Sequence, residues 1–399
     1  MLIPSTTYYT KTGRKNEMYD VIISGAGPSG STLAYHLARA GMEVLVLEKD
    51  EMPREKPCGG GVTYKAARLF DFPWQEVIED TVHTVVFNFR GGSEVTIRQA
   101  VPLAYMVSRS SFDMRLAKQA RSAGAKILEG TALKGLSIEN NGVIVSAGDK
   151  IHRGEFFVGA DGVNGRAARL LGLYTPGETG PTLEVEVECP PETLEKSRGI
   201  IKVDCGAAPW GYGWIFPKKN HLSTGVGAFT HNVKGLKKHL NDFLNREGLA
   251  CAKVLSARGY PIPVGGGRKK NIHCKSAILL GDAAGLVDPF CGEGIYYAIK
   301  SALLAAQAIL DNRVNPDRAP GQYQELVDRQ ITEELKIARR LAKIFYTFPA
   351  VAFNLIERKP EIAEKMIHIV YGEGSFSELK GAAVQVIRTI LSMKKTARV

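Results

Sequence analysis

Two patterns near the start of the chain carry residue types that can do chemistry. In Gly25-Ala26-Gly27-Pro28-Ser29-Gly30, Gly25 permits a tight turn, Gly27 lets the backbone approach a pyrophosphate, and Gly30 lets a helix pack closely on a strand. Glu48 follows at the spacing from which a carboxylate accepts hydrogen bonds from a ribose diol. The second pattern is Glu55-Lys56-Pro57-Cys58-Gly59-Gly60-Gly61, a thiol set directly against consecutive glycines. Glycine gives up more conformational entropy on folding than any other residue, so such a run needs a reason. The residues alone leave three: a flexible turn, a metal loop, or part of a cofactor site.

The elements that must position the first pattern are legible. Residues 19–24, YDVIIS, form a β-branched run suited to a buried parallel strand. A helical pattern runs from Ser29 to Ala40 and stops at Gly41, and MEVLVLE supplies a second strand ending in Glu48. This is a complete βαβ unit, with the helix N-terminus offering unpaired N–H groups to phosphates. The fingerprint alone does not choose between NAD and FAD.

Composition sets outer bounds. The chain has 399 residues, which predicts two or three domains. With 44% hydrophobic and 23% charged residues it reads as a globular protein. The apolar runs fall short of the roughly 18 residues of a membrane-spanning helix, and the N-terminus lacks the apolar core of a signal peptide. A cytoplasmic protein with reduced thiols is therefore expected. The formal charge of +11 suits acidic partners or a generally basic surface. The six cysteines show no CxxC pair, so no zinc or other metal site is expected. A nucleic-acid partner is not expected either.

Three distant segments agree with the first. SRSSFDMRLAKQARSAGAKI (108–127) reads as a capped amphipathic helix entering a strand. FFVGADGVNGRAARLLG (156–172) is an apolar strand, then Asp161-Gly162, then a helix. AILLGDAAGLVDPFCGEGIYYAIKSALLAAQAI (277–309) is a strand, a Gly-Asp turn, a loop and a long Ala-rich helix. In this order they resemble the FAD-binding domain shared by aromatic hydroxylases and their relatives, over roughly residues 18–310. The resemblance implies FAD, held by Gly25, Gly27, Ser29, Gly30 and Glu48 at the adenosine end. It places Arg109 against ribose and pyrophosphate, with Leu133, Asp161 and Gly162 supporting that region. Asp282 would bond the ribityl chain, and Gly292, Gly294 and Ile295 would face the flavin pyrimidine edge.

Two further motifs narrow the resemblance. KPCGGG and PWGYGWIFP (209–217, of the form PxxYxWxFP) are similar to segments of the geranylgeranyl reductase family, flavoenzymes that saturate prenyl double bonds, and the GEGIYYAIKSA helix fits the same family. Read without the family, Tyr212, Trp214 and Phe216 alternate and so share one strand face, bounded by Pro209 and Pro217. They suit a plain sheet core or an aromatic wall for a long apolar ligand. An isolated prenyl double bond accepts hydride poorly, so the implied chemistry pairs hydride delivery with a proton donor. A thiol, with an ordinary pKa of about 8.5, can give that proton at neutral pH. Cys58 is the candidate, with Gly59 and Gly61 passing over the flavin. Cys291 is expected near the same flavin edge, as a possible disulfide partner of Cys58. The electron donor is left as NADPH or reduced ferredoxin.

The expected fold is mixed α/β, with a discontinuous Rossmann-like FAD-binding domain (18–75, 106–175 and 263–310). An antiparallel β-sheet substrate domain (76–105 and 176–262) would roof it. A loose extension (1–17) precedes these, with Met18 as a possible alternative start, and a helical C-terminal tail (311–399) follows. KIFYTFPAVAFNLIE (343–357) is apolar, interrupted by Pro349 and flanked by basic residues including Arg339, Arg340, Lys343, Arg358 and Lys359. It is expected either to dock on an anionic membrane surface, or to form a dimer contact or cover the substrate cleft. The rival functions are an FAD monooxygenase or halogenase on the same fold, and a flavin-bound membrane sensor without catalysis.

Overall fold

The structure is a computed structural model that describes residues 18–139, 142–174, 179–267 and 271–396. The expected extension 1–17 lies outside the described residues. The first strand, Met18–Ser24, pairs in parallel with Val44–Leu47 on one side and with Lys150–Gly159 on the other. Lys126–Leu128 extends the sheet beyond Val44–Leu47, and Ala277–Leu279 extends it beyond Lys150–Gly159, both in parallel. Val21, Ile22, Ile23, Leu45 and Val46 are buried, as strands covered on both faces require. The helices Pro28–Arg39, Arg109–Ser122 and Ile295–Asp311 pack with this sheet. An antiparallel excursion, Leu133–Glu139 with Gly142–Ala147, hangs on Lys150–Gly159. This is the expected dinucleotide-binding body. One detail of the helix 109–122 differs from expectation: Ser108 stands at its N-cap, but its hydroxyl pairs with Ser110 Oγ instead of capping.

The second body is a seven-stranded sheet in the order Lys253–Pro263, Thr179–Glu188, Leu222–Ala228, Gly211–Pro217, Ile200–Asp204, Thr84–Asn88, Glu94–Arg98. It is antiparallel except at one junction. Ile200–Asp204 runs parallel to Thr84–Asn88, because there the hairpin from the first segment meets the meander from the second and no short loop dictates direction. Ile78–Val82, expected in this sheet, instead pairs with Ala104–Val107 in a separate three-stranded sheet completed by Gly61–Thr63.

One face of the large sheet is covered by the helix Leu236–Arg246, whose Leu240, Phe243 and Leu244 pack on Val185, Ile215 and Val226. The other face looks toward the dinucleotide-binding body. Register places Glu184, Gly225 and Trp214 in one row across that face, and Thr182, Gly227 and Tyr212 in the next. The alternating glycines of Leu222–Ala228 make room for the aromatics: a Cβ on Gly225 would stand 2.5 Å from Trp214 Cζ2.

The C-terminal region is helical, as expected, but it divides between the two bodies. Tyr323, Leu326, Val327, Ile331 and Leu335 join the dinucleotide-binding core. From Ala338 onward the buried residues pack instead with the second sheet, with Phe353 stacked on Phe89 at 6.1 Å. The apolar stretch 343–357 is thus turned inward, and Phe348 is its exposed aromatic. Basic Arg339 is also spent inside, donating to the carbonyls of Val264 and Gly265. No helix among the described residues is long and apolar enough to cross a membrane.

Candidate active site

A cavity of about 540 Å³ lies between the two bodies. At one end it meets the carboxyl ends of the central strands, at Ser24 and Leu47, where the strand order changes direction. Gly25 takes φ +103° there, and a Cβ on it would collide with the Ala160 carbonyl. A Cβ on Gly30 would collide with the Gly25 carbonyl, so turn, helix and strand are held in close contact. Glu48 is 2% exposed, and its Oε2 accepts the Ala26 N–H at 2.8 Å.

Two helix N-termini open into this cavity without a capping side chain: Pro28–Arg39, entered through Gly27, and Ile295–Asp311, entered through Gly294. Beside the first stands Arg54, which reading the sequence missed. Its Nη1 donates to Asp113 at 3.1 Å and its Nε lies 3.3 Å from Glu48 Oε1. A Cβ on Gly27 would come within 3.6 Å of Arg54 Nη2. Arg109 makes a two-pronged pair with Asp113 at 2.9 and 2.8 Å. Burial opposes its charge, but Asp113 and the neighbouring Cys58 outweigh it and raise the Arg109 pKa. Asp161 accepts the N–H groups of Arg166 and Ala167, so its carboxylate caps the short helix Ala167–Leu170. Asp282 lies 3.4 Å from Lys56 Nζ.

Lining the middle of the cavity are Cys58, Gly59, Gly60 and Gly61. The Cys58 N–H donates to Glu184 Oε1 at 3.0 Å, and the Gly60 N–H points at the Cys58 sulfur at 3.5 Å. Lys218 is 3% exposed, and its Nζ donates to the carbonyls of Gly59 and Val107, each at 2.7 Å. Burial pushes the Lys218 pKa down. Two of the three glycines are required by the protein's own packing. A Cβ on Gly59 would stand 2.6 Å from the Phe216 ring and 3.3 Å from Trp214 Nε1. Gly60 has φ +66°, and its Cβ would strike the Val107 carbonyl. Gly61 has room, its nearest neighbour being Met106 Cε at 3.4 Å.

Beyond Cys58 the cavity becomes apolar. Tyr212, Trp214 and Phe216 form one wall, with ring centroids spaced 6.2 and 6.4 Å apart. Phe345, Tyr346, Met366 and Val370 of the C-terminal helices form another. Tyr212 donates to the Cys291 carbonyl, joining the aromatic wall to the loop before the helix Ile295–Asp311. Burial pushes the Cys291 thiol up. Cys58 and Cys291 both line the cavity and both are free thiols, as are the other cysteines. Leu133, Gly162 and Gly292 line it as well, whereas Gly30, Pro209 and Pro217 do not. Pro209 lies exposed at a turn.

Asp288, Cys291 and Glu293 bring their side-chain ligand atoms within 4.8 Å of one another beside this loop. The cation there is the protein's own. Lys65 Nζ lies 2.6 Å from Glu293 Oε2, and burial, which opposes the Lys65 charge, is outweighed by Glu293.

Residues 18–215 match a family model described as an FAD binding domain. An uncharacterized protein of Methanosarcina barkeri is 34% identical over 85% of this chain and 86% of its own length. Digeranylgeranylglycerophospholipid reductase 2 of Methanothermobacter thermautotrophicus is 30% identical over 82% of this chain and 87% of its own. The chain belongs to the geranylgeranyl reductase family. Like that family it is an FAD-dependent oxidoreductase. A geranylgeranyl bacteriochlorophyll reductase-like protein of Thermoplasma acidophilum shares the fold, with a TM-score of 0.76 at 24% identity over 93% of this chain and 96% of that one.

The residues of this family member fit FAD. A diphosphate needs donors and positive charge, and the uncapped helix at Gly27 with Arg54 above it offers both. An anionic ring edge is suited by the second uncapped helix at Gly294. Glu48 stands where a ribose diol can donate to it.

Proposed function

We propose that the protein is a reductase that saturates isolated double bonds of a geranylgeranyl or related prenyl chain, carried by a lipid, a chlorophyll-type ring or a diphosphate. The observation that carries this reading is the continuity of the cavity: dinucleotide end, then Cys58, then a wall of apolar and aromatic side chains. Reduced FAD, when bound, supplies hydride. The chain supplies the remainder. Tyr212, Trp214 and Phe216 with the tail residues Phe345 and Met366 orient the prenyl chain and exclude water. Cys58 gives its thiol proton to the alkene carbon that does not receive hydride. Arg109 and Lys218 place positive charge beside the sulfur, where negative charge develops as the proton leaves. Reducing equivalents come from NADPH or reduced ferredoxin, the latter suited by the +11 charge of the chain. A lipid-borne substrate would be met at a membrane surface, where the same charge favours anionic headgroups.

Mass spectrometry of lipids from cells with and without the gene tests this. Gain of one H2 per double bond only in cells that carry the gene is the expected result. Unchanged prenyl saturation would overturn it, and an oxygenated or halogenated product would favour the monooxygenase or halogenase alternative.

A further inference from the structure

We propose that Glu184 returns the proton to Cys58 after each turnover, and that Glu186 and His221 continue the path to the protein surface. The inference rests on the reading of Cys58 as the proton donor to the alkene.

The need follows from the proton balance. When the Cys58 S–H bond breaks and a C–H bond forms on the alkene, a thiolate remains. No second turnover can occur until that sulfur regains a proton. With a prenyl chain seated against the apolar walls, the nearest proton source for that sulfur is a titratable side chain beside the Cys58 loop. Glu184 is placed for this. It is 8% exposed, lines the same cavity, and sits 3.0 Å from the Cys58 backbone nitrogen. In the transfer, the O–H bond of the Glu184 carboxyl breaks and the S–H bond of Cys58 re-forms, leaving a carboxylate. No electrons change hands.

The carboxylate must then be reprotonated from outside. Glu186 lies two residues along the same strand, on the same face. Its Oε2 is 2.8 Å from His221 Nε2, and both side chains are 22% exposed. His221 ends the turn that joins Gly211–Pro217 to Leu222–Ala228, at the end of these two central strands. Carboxyl, carboxyl and imidazole thus lead outward from the site.

The charged groups facing Glu184 set its behaviour. Glu186 adds negative charge from its own strand, Lys218 and Arg109 add positive charge from the hairpin turn and the helix Arg109–Ser122, and Arg258 stands opposite in register. Burial, with Glu186 second, pushes the Glu184 pKa up to about 7, so both of its forms are available near neutrality. A purely structural role, holding the loop through the Cys58 N–H, would be served equally by glutamine.

The Glu184→Gln variant of the FAD-loaded protein separates the two. Chemically reduced protein is mixed with geranylgeranyl diphosphate as the probe. The expected result is a first turnover close to the wild-type rate, steady-state turnover lower by about ten- to a hundredfold, and loss of the wild-type pH dependence near neutrality. Glu186→Gln should slow steady-state turnover in the same sense. A second arm needs no prenyl substrate: alkylation of Cys58 by iodoacetamide, followed by peptide mass spectrometry across pH. Glu184→Gln should shift that profile. Equal steady-state rates, or superimposable alkylation profiles, would overturn the proposal. A wild-type protein that reduces no prenyl probe would instead count against the prenyl reading, and the alkylation profiles would still decide whether Glu184 acts on Cys58.

Discussion

The side-chain nitrogen of Lys218 is hydrogen-bonded to the carbonyl oxygen of Gly59, at 2.7 Å, although the two residues lie on different bodies of the protein. The bond ties the turn after the aromatic strand to the glycine loop that carries Cys58. A second bond, to Val107, ties the same nitrogen to the three-stranded sheet beneath. Lys218 therefore fixes the position of the thiol relative to the aromatic wall.

Replacing Lys218 with methionine should free that loop. Each buried carbonyl left without its donor costs about 1–3 kcal/mol. Hydrogen exchange in a peptide spanning 55–66 should accelerate, while FAD retention should hold, because Lys218 bonds to Gly59 and Val107 whereas the Gly25–Gly30 turn is held by its packing on Ala160. Unchanged exchange would show that the loop is held by its own conformation.

The glycines of the loop should respond unequally to alanine. Gly60→Ala puts a Cβ against the Val107 carbonyl at φ +66°, and should cost more than about 1 kcal/mol in a urea titration. Gly59→Ala pushes on Phe216 at 2.6 Å, and should impair prenyl reduction more than FAD binding. Gly61→Ala meets only ordinary contacts, and should stay within about 0.5 kcal/mol of wild type. Equal sensitivity at all three positions would contradict this packing.

Stability should depend on pH through Glu184. Its carboxyl is raised from 4.5 to about 7 in the folded protein, so between these values the folded state holds a proton that the unfolded chain releases. Stability from this group is thus full below about pH 4.5 and is lost as pH rises through about 7. Glu184→Gln removes the penalty of a buried charge. The melting temperature of the variant relative to wild type should therefore rise between pH 5 and pH 8, on the order of a few degrees. Asp288, raised to about 6 by burial, titrates in both proteins and cancels in the difference. A pH-independent difference would place Glu184 in a more solvated setting.

FAD should be released intact by acid, and Asp282→Ala should weaken its retention. The carboxylate faces the cavity beside Lys56, and a charge-assisted hydrogen bond is worth about 1.5–3 kcal/mol, roughly a ten- to hundredfold change in affinity. Fluorescence titration of the stripped protein with FAD measures it. Release of FMN, or wild-type affinity in the variant, would contradict the assignment.

The first βαβ unit was legible because each of its signals is local: a glycine spacing, a helix stop at Gly41, an acid after the second strand. The inward face of the aromatic strand was also legible from alternation, which continues past Phe216 to Lys218. A lysine there reads as exposed, since lysines are rarely buried. The carbonyls that hold it belong to Gly59 and Val107, which are far away in sequence. Glu184 and Glu186 were hidden in the same way, as polar positions on a strand whose opposite face is plainly apolar. The parallel junction of Ile200–Asp204 with Thr84–Asn88 and the inward turn of the C-terminal helices depend on how distant segments meet, and no local pattern encodes that.

The most direct test of the account is an anaerobic single turnover of chemically reduced, FAD-loaded protein with a geranylgeranyl probe in D2O, with the product read by mass spectrometry. The wild type should reoxidise while saturating the alkene, with two solvent-derived deuteriums in each reduced bond, because the thiol hydrogen and the hydrogen that reduced flavin delivers both exchange with solvent. Cys58→Ser should keep FAD and still accept electrons, yet lose most of that product. Product formed by Cys58→Ser at the wild-type rate, or a reduced wild type that leaves the probe untouched, would contradict the account.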